Sequence, residues 1–241
     1  MRILITNDDG VFAEGIRLLA EWAKKLGEVT VVAPKSEQSG KSHAINFTEP
    51  IEIKRVELME GVEAYSCDST PADCVRYGIM GLNRTYDLVL SGINRGVNLG
   101  VDMIYSGTVA AIFEAAYWKH NALAISTYPD SAIDAARELD NIYNYIKERK
   151  LFDYNPIYNV NVPKASRGIK ITKQGSPYFD DEFKHLGGDM YLQTGKRVED
   201  ELPTDLTRDT VALESGYTTL TPATLLRTNM EAFERLTASG D

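Results

Sequence analysis

Met1-Arg2-Ile3-Leu4-Ile5-Thr6-Asn7-Asp8-Asp9-Gly10 opens the chain and sets the kind of sheet to expect. Residues 2–6 are mostly apolar and β-branched, with no polar alternation, which predicts a strand buried on both faces, as in a parallel sheet. The run stops abruptly at Asn7-Asp8-Asp9-Gly10. Each of these residues is favoured in turns for its own reason, so turn chemistry alone is one reading. The other is a divalent-cation site. Adjacent carboxylates repel one another unless something positive sits near them, and ligands of open α/β sheets bind just beyond the carboxyl ends of the strands.

Working outward, residues 15–26 carry Ile16, Leu19, Trp22, Ala23 and Leu26 at helical spacing, with Gly27 as a stop. Residues 29–33 form a second strand closed by Pro34. Strand, helix and strand together make a βαβ unit and a parallel sheet. Further strands are expected over 51–58 and 62–66, and a helix from Thr70-Pro71-Ala72-Asp73 to about Leu82, with Thr70 as its cap. A core strand over 87–91 empties into a loop of three glycines and two asparagines, 92–100. Ser106 caps a helix over 109–119. A strand at 123–126 and a helix over 131–150 follow, the latter facing Ala132, Ile133, Ala136, Leu139, Ile142, Tyr145 and Ile146 inward. Residues 157–162 alternate as a half-exposed strand should. Beyond about 167 the pattern changes: a short strand at 168–172, a polar stretch of little periodicity at 176–209, renewed alternation at 211–220 and a terminal helix over 228–236. The expected fold is α/β, a Rossmann-like mostly parallel sheet flanked by helices. Its expected division is a catalytic core over 1–165 and an extension over 166–241.

The 241 residues suffice for a well-buried core, and 43% hydrophobic with 25% charged residues is ordinary for a globular protein. A formal charge of −9 argues against a nucleic-acid duplex or an anionic membrane as partner. A small anionic substrate is compatible with it if a bound cation reverses the local field. Two cysteines, Cys67 and Cys74, and three histidines are too few for a structural zinc site and read as buried thiols. The first strand begins at once, without a basic and apolar leader, and no run approaches the roughly 18 apolar residues of a membrane span. The expectation is a cytoplasmic protein.

Four strand-end loops then offer oxygen ligands and anion-binding backbone: Asp8 with Asp9, Ser39, Asn94 with Asn98, and Ser106-Gly107-Thr108. All-oxygen ligation suits hard cations such as Mg²⁺ or Mn²⁺. A cation with open positions polarises a phosphate ester and acidifies the attacking water. The free amides of a helix start hold the remaining phosphate oxygens. The chemistry favoured is a metal-dependent reaction at a phosphate.

Asn7-Asp8-Asp9-Gly10, Val32-Ala33-Pro34 followed by Ser39-Gly40, Thr70-Pro71-Ala72-Asp73-Cys74, Ser91-Gly92-Ile93-Asn94 with Gly96 and Asn98-Leu99-Gly100, and Tyr105-Ser106-Gly107-Thr108-Val109 together resemble the SurE family of survival-protein nucleotidases. The match is ordered over about the first 130 residues, with a weaker echo at Gly216-Tyr217 and Thr221-Pro222. The resemblance implies a Rossmann-like core with one divalent metal (Mg²⁺ or Mn²⁺) held by Asp8, Asp9, Ser39 and Asn94. It also implies phosphomonoesterase activity on nucleoside 5′- and 3′-monophosphates, in some members with exopolyphosphatase activity. Asn98, Ser106, Gly107 and Thr108 fall where the family lines its phosphate pocket. Members form homodimers or homotetramers by exchanging C-terminal elements. Two departures touch the C-terminal arm: the family's Thr-Asp appears as Arg208-Asp209, and a usual leucine as Ala223.

On these expectations Asp8 and Asp9 are the catalytic pair, and His43, near the Ser39 loop, is a substrate-side residue able to assist the leaving group or merely brace the loop. A dehalogenase-type phosphatase would need its nucleophilic aspartate where Asn7 stands. A non-catalytic receiver module, which would bind phosphate and metal without turnover, would need a phosphoacceptor where Ser91 stands.

Overall fold

The computed structural model describes residues 1–198 and 204–238. Residues 199–203 of the low-periodicity stretch and 239–241 of the extension lie outside the described residues. Strand β1 (Arg2–Thr6) is central, pairing in parallel with β2 (Glu28–Pro34) on one side and β5 (Leu88–Arg95) on the other. Ile3, Leu4 and Ile5 have no solvent exposure, and full burial of each such side chain is worth roughly 1.5–3 kcal/mol. Ile3 and Ile5 pack with Ile16 and Leu19 of α1 (Glu14–Ala23) and Leu139 and Ile142 of α4 (Ala132–Glu148). Leu4 points the other way, towards Val75 of α2 (Pro71–Arg76) and Val109 and Ile112 of α3 (Gly107–Tyr117). Helices therefore cover both faces, and the lack of polar alternation in β1 follows from having no solvent side.

The remaining strands are β3 (Ile53–Val56), β4 (Glu63–Cys67), β6 (Ala122–Thr127), β7 (Ile157–Val162), β8 (Ile169–Ile171) and β11 (Thr218–Pro222). They complete a nine-stranded sheet ordered β3-β4-β2-β1-β5-β6-β7-β11-β8, parallel except where β3 meets β4 and β7 meets β11. A separate antiparallel hairpin, β9 (Phe179–Gly187) with β10 (Met190–Arg197), stands off the sheet. Helices α5 (Asp209–Glu214) and α6 (Met230–Ala238) flank β11 in sequence. No helix among the described residues is long and apolar enough to cross a membrane.

Several expectations are corrected. Strand β7 is buried along its whole length: β6 and β11 pair at its edges, Ile157 joins the apolar cluster of α3, and Asn159 and Asn161 turn inward to bond the Asn98 carbonyl. Strand β5 runs on through Gly92, Ile93 and Asn94 to Arg95, where a loop was expected, with a register shift between Gly92 and Asn94. The alternation at 211–220 splits into α5 and β11, since Val211, Ala212 and Leu213 form one buried helical face. The polar stretch after 176 contains the β9–β10 hairpin, whose residues are almost all exposed and so carry no burial pattern. On α4 the inward face is Ala135, Leu139, Ile142 and Ile146, and Ile133 is exposed. Helix α2 ends at Arg76 and gives way to a π-helical turn over Tyr77–Gly81.

Candidate functional site

Because β1, β2 and β5 are parallel neighbours, their carboxyl ends open on the same edge of the sheet. The loops following them are stitched together there. Val11 N–H donates to the Pro34 carbonyl at 2.8 Å, and Gln38 N–H to the Asp8 carbonyl at 2.7 Å. Asn7 and Gly10 make the turn: Asn7 Nδ2 donates to Gly10 O at 2.9 Å, and Gly10 N–H to Asn7 Oδ1 at 3.2 Å. Gly10 holds φ at +108°, a conformation side chains resist. Turn and site therefore divide the motif between them, leaving both aspartate side chains to face the edge.

Asp8 is 4% exposed and clamped to the start of α3. Thr108 Oγ1 donates to its Oδ1 at 2.5 Å and Thr108 N–H to its Oδ2 at 3.2 Å. Burial raises the Asp8 pKa against those two bonds, and the Glu37 charge adds to the rise. Asp9 accepts the Arg95 N–H at Oδ2, 3.1 Å away, and among the described residues its Oδ1 accepts nothing. Its pKa is raised to about 6, by burial first and then by the charges of Asp8 and Glu37, with the Arg95 amide opposing. A buried and a half-buried carboxylate, side by side and each disfavouring its own ionisation, are an environment that a cation would relieve.

The other oxygen ligands expected around the pair differ in placement. Asn94, just after the register shift in β5, ties its Nδ2 to Gly96 O at 2.7 Å, which leaves its carbonyl oxygen for a ligand. Ser39 is exposed, and its hydroxyl donates to Glu37 Oε1 at 2.7 Å. Among the described residues no group of three or more His, Cys, Asp or Glu side chains could hold a metal ion. The available set is thus two carboxylates with neutral amide and hydroxyl oxygens. That set fits a hard cation that keeps part of its water shell and does not fit zinc.

The residues expected to line a phosphate pocket stand in two places, Ser106-Gly107-Thr108 at the start of α3 against Asp8, and Asn98 at the ends of β6 and β7. Ser106 caps α3, its Oγ accepting the Val109 N–H at 3.1 Å while its own O–H stays available as a donor. Among the described residues the Gly107 N–H has no acceptor. Thr108 is fully buried and spends its side-chain and backbone donors on Asp8. Asn98 is held by its backbone: its N–H donates to Asn161 Oδ1 at 2.8 Å, and its carbonyl accepts from Asn159 at 2.8 Å and Asn161 at 2.9 Å. Its Nδ2 donates one hydrogen to Ser126 Oγ at 2.8 Å and has a second to offer.

His43 reaches the site through Ser42, whose N–H donates to Tyr105 O at 3.0 Å and whose Oγ donates to Ile104 O at 2.7 Å. The His43 ring bonds Glu114 through Nε2 at 2.9 Å. Glu114 also accepts from Arg76 at 2.9 Å and from Trp118 at 3.0 Å. Burial alone would raise the Glu114 pKa. The bonds from His43 and Trp118 and the Arg76 charge outweigh it and hold the carboxyl below its usual range.

Sequence reasoning missed several of these supports. Glu114 was the one to find, as the lone charged side chain in the apolar run 109–116. Asp209 is wholly buried and accepts Gly100 N–H at 3.0 Å, Gly175 N–H at 2.8 Å and Thr210 N–H at 2.7 Å, bracing the loop that carries Asn98. The departure at Arg208 leaves those bonds untouched, because Asp209 makes them. Asn159 and Asn161 had no local signal.

Gly107 sits in the closest quarters of the site. A Cβ there would lie 3.1 Å from Asp8 Cβ, 3.3 Å from Asp8 Oδ2 and 3.0 Å from Pro71 Cγ. Gly107→Ala is expected to displace Asp8 and cut kcat by about 10²-fold, since misplacement of about 1 Å costs that much. Steady-state kinetics beside a thermal melt check it, and an unchanged kcat would show that the spacing is not needed.

A family model described as "Survival protein SurE" matches residues 3–181. The chain is 38% identical over 250 residues to the 5′-nucleotidase SurE of Thermosipho africanus (strain TCF52B), covering 98% of this chain and 96% of that one. It is 40% identical over 235 residues to the 5′-nucleotidase SurE of Clostridium botulinum (strain Alaska E43 / Type E3), covering 92% of each. The crystal structure of the Sure protein from Aquifex aeolicus superposes with a TM-score of 0.83 at 30% identity, covering all of both chains.

Proposed function

The chain belongs to the SurE family, and from that premise we propose that it is a divalent-metal-dependent phosphomonoesterase releasing phosphate from nucleoside 5′-monophosphates. The observation that carries this reading is the Thr108 clamp. It joins the buried Asp8 to the N-terminus of α3, so the cation-favouring and anion-favouring ends of the site share one wall. Relatives bearing the name 5′-nucleotidase over nearly the full length support the substrate class.

Asp8, Asp9, the Asn94 carbonyl oxygen and, with its hydroxyl turned from Glu37, Ser39 are the residues that would hold Mg²⁺ or Mn²⁺. The cation would supply positive charge at the phosphoryl oxygens and acidify water. The Ser106 hydroxyl, the Gly107 amide and the second Asn98 N–H hold phosphate oxygens at the positive end of α3. Thr108 orients Asp8. Asp9 Oδ1, the carboxylate oxygen without a donor among the described residues, accepts a hydrogen bond from the attacking water and orients it, since a carboxylate engaged by a cation is a poor base. Hydrolysis of 3′-nucleotides and of polyphosphate belongs to the same reading, as does its location in the cytoplasm.

The same reading assigns 1–165 to catalysis and 166–241 to completing the domain and assembling a homodimer or homotetramer. Hairpin β9–β10 supports the assembly role, with Phe183, Met190, Tyr191 and Leu192 all exposed, as does α6, which buries no side chain.

A phosphate-release panel tests the function, comparing 5′- and 3′-nucleotides, polyphosphate and simple phosphomonoesters with Mg²⁺, Mn²⁺ or chelator. Release from 5′-nucleotides that chelator abolishes is expected. Undiminished release under chelator would overturn the reading.

A further inference from the structure

Leu99, the residue after Asn98, is 1% exposed in a small apolar cluster of its own, with Tyr178 and Leu213 buried beside it and Tyr128 packed against them. These walls come from three elements: Tyr128 follows β6, Tyr178 precedes β9 and Leu213 belongs to α5. Glu214, next to Leu213, ties them together. Its Oε1 accepts the Tyr128 hydroxyl at 3.0 Å and the Tyr178 hydroxyl at 2.5 Å, and its Oε2 takes the guanidinium of Arg197, the last residue of β10. Arg197 also lies over the Tyr178 ring, 5.5 Å from its centre. Both phenols keep their protons and so act as donors. Burial and then the Glu214 charge push the Tyr128 pKa up to about 12, and burial with the Glu214 bond raises that of Tyr178 as well. The foot of the hairpin is fastened to the same loop at a second point. Asp102 Oδ2 accepts the Tyr178 and Phe179 N–H groups at 2.7 and 2.9 Å, and Val198 N–H donates to the Tyr178 carbonyl at 3.0 Å. The loop after Asn98 is therefore gripped at Leu99 and at Asp102 by the foot of a hairpin whose blade is almost wholly exposed.

We propose that Glu214 is a positioning residue: by fastening Tyr128, Tyr178 and Arg197 around Leu99 it fixes the backbone from which Asn98 reaches the phosphate. The proposal rests on the reading of Asn98 as a phosphate contact. Gly96 and Gly100 bracket the segment at φ of +148° and +53°, so its ends place little restraint of their own on where it lies. Asn159 and Asn161 tether Asn98 to β7. The Leu99 socket adds the tether to α5 and the hairpin. Without the carboxylate, the hydroxyl of Tyr178, a side chain only 7% exposed, has to turn to water for a partner and draws its ring off Leu99. Arg197 loses its pair at the same time and frees the other strand of the hairpin foot. The tether to β7 remains, so Asn98 shifts without leaving the site.

The test uses the full chain with Glu214→Ala and, beside it, the double variant Tyr128→Phe with Tyr178→Phe, each checked by thermal melting. The double variant keeps both rings against Leu99 and removes only the two donors, so it carries the test if Glu214→Ala does not fold. In either, hydrogen exchange at the Asn98 and Gly100 amides is expected to quicken. In turnover, KM for AMP and Ki for inorganic phosphate are expected to rise together by about tenfold at unchanged kcat. That is the lower range for a lost bond to a charged group, and the mark of binding shared by ground and transition states. Made in an Asn98→Ala background, the same changes should leave KM where Asn98→Ala alone puts it. A further rise in that background would show that Glu214 acts elsewhere and overturn the proposal. So would a lowered melting temperature with exchange and KM both at parent values. Quickened exchange in Glu214→Ala, with Asn98→Ala itself at parent KM and Ki, would keep the socket and take Asn98 out of the phosphate reading. A raised KM in Asn98→Ala with nothing moved in the other variants would do the reverse.

Discussion

Asp8→Asn is expected to lower kcat by about 10³-fold or more while the protein stays folded. The substitution keeps the size of the side chain and an oxygen able to accept from Thr108, and it removes the charge proposed to face the cation. The stability side can be signed. The folded pKa of Asp8 lies above its usual 3.8, raised first by burial, so the folded chain disfavours this carboxylate once it is ionised. At pH 7 the neutral amide removes that penalty, as well as the repulsion with Asp9. The melting temperature of the metal-free variant should therefore equal or exceed that of the parent. A folded Asp8→Asn protein that turns over at near-normal rate would remove Asp8 from the mechanism. A variant melting well below the parent would make the Thr108 clamp structural first.

The second large effect is that of the cation on stability. A ligand at about 100 times its Kd stabilises the state that binds it by about 2.7 kcal/mol, which for a chain of this size is roughly 5–10 °C in Tm. Saturating Mg²⁺ or Mn²⁺ should raise the melting temperature by that order over chelated protein at pH 7, and by less at pH 5. The sign follows from Asp9, whose pKa stands at about 6 against an ordinary 3.8. Between those values the folded metal-free chain keeps a proton that the unfolded chain releases. Metal-free stability accordingly falls as pH rises through this window and levels off above it. A cation must displace that proton to bind, so its stabilisation grows across the same window. Thermal melts at both pH values, with each cation and with chelator, decide the matter. Equal melting with and without cation at pH 7, or a larger increment at pH 5, would contradict a metal site built on this pair.

Much of the fold was legible because the signals were local. The βαβ opening rests on a two-sided apolar strand and a helix with one apolar face, and β1, α1 and β2 lie within about a residue or three of their predicted spans. The caps were equally local: Thr70 and Ser106 each accept the N–H three residues on, as their positions promised. Where the reading failed, the deciding partner was distant or absent. Alternation in 157–162 suggested a solvent face, but the loop carrying Asn98, some sixty residues earlier, lies against it and takes the Asn159 and Asn161 amides. Hairpin β9–β10 has no buried face, so no hydrophobic period could announce it.

The candidate site divides along the same line. Paired carboxylates, an asparagine-glycine loop and a capped helix start could be placed at one sheet edge from local signals, because strand ends, turns and caps are dictated by neighbouring residues. What each group does there depends on partners far away in the chain, which the folded chain brings together. It gave Thr108 to Asp8 across 100 positions, Asn98 to Asn159 and Asn161 across 61 and 63, and His43 to Glu114 across 71. Hydrogen bonds between buried side chains depend on which strands and helices become neighbours. Burial is also what lifts the aspartates from their usual pKa, so the charge that a cation would meet is a property of the packed sheet edge rather than of the Asn-Asp-Asp-Gly motif.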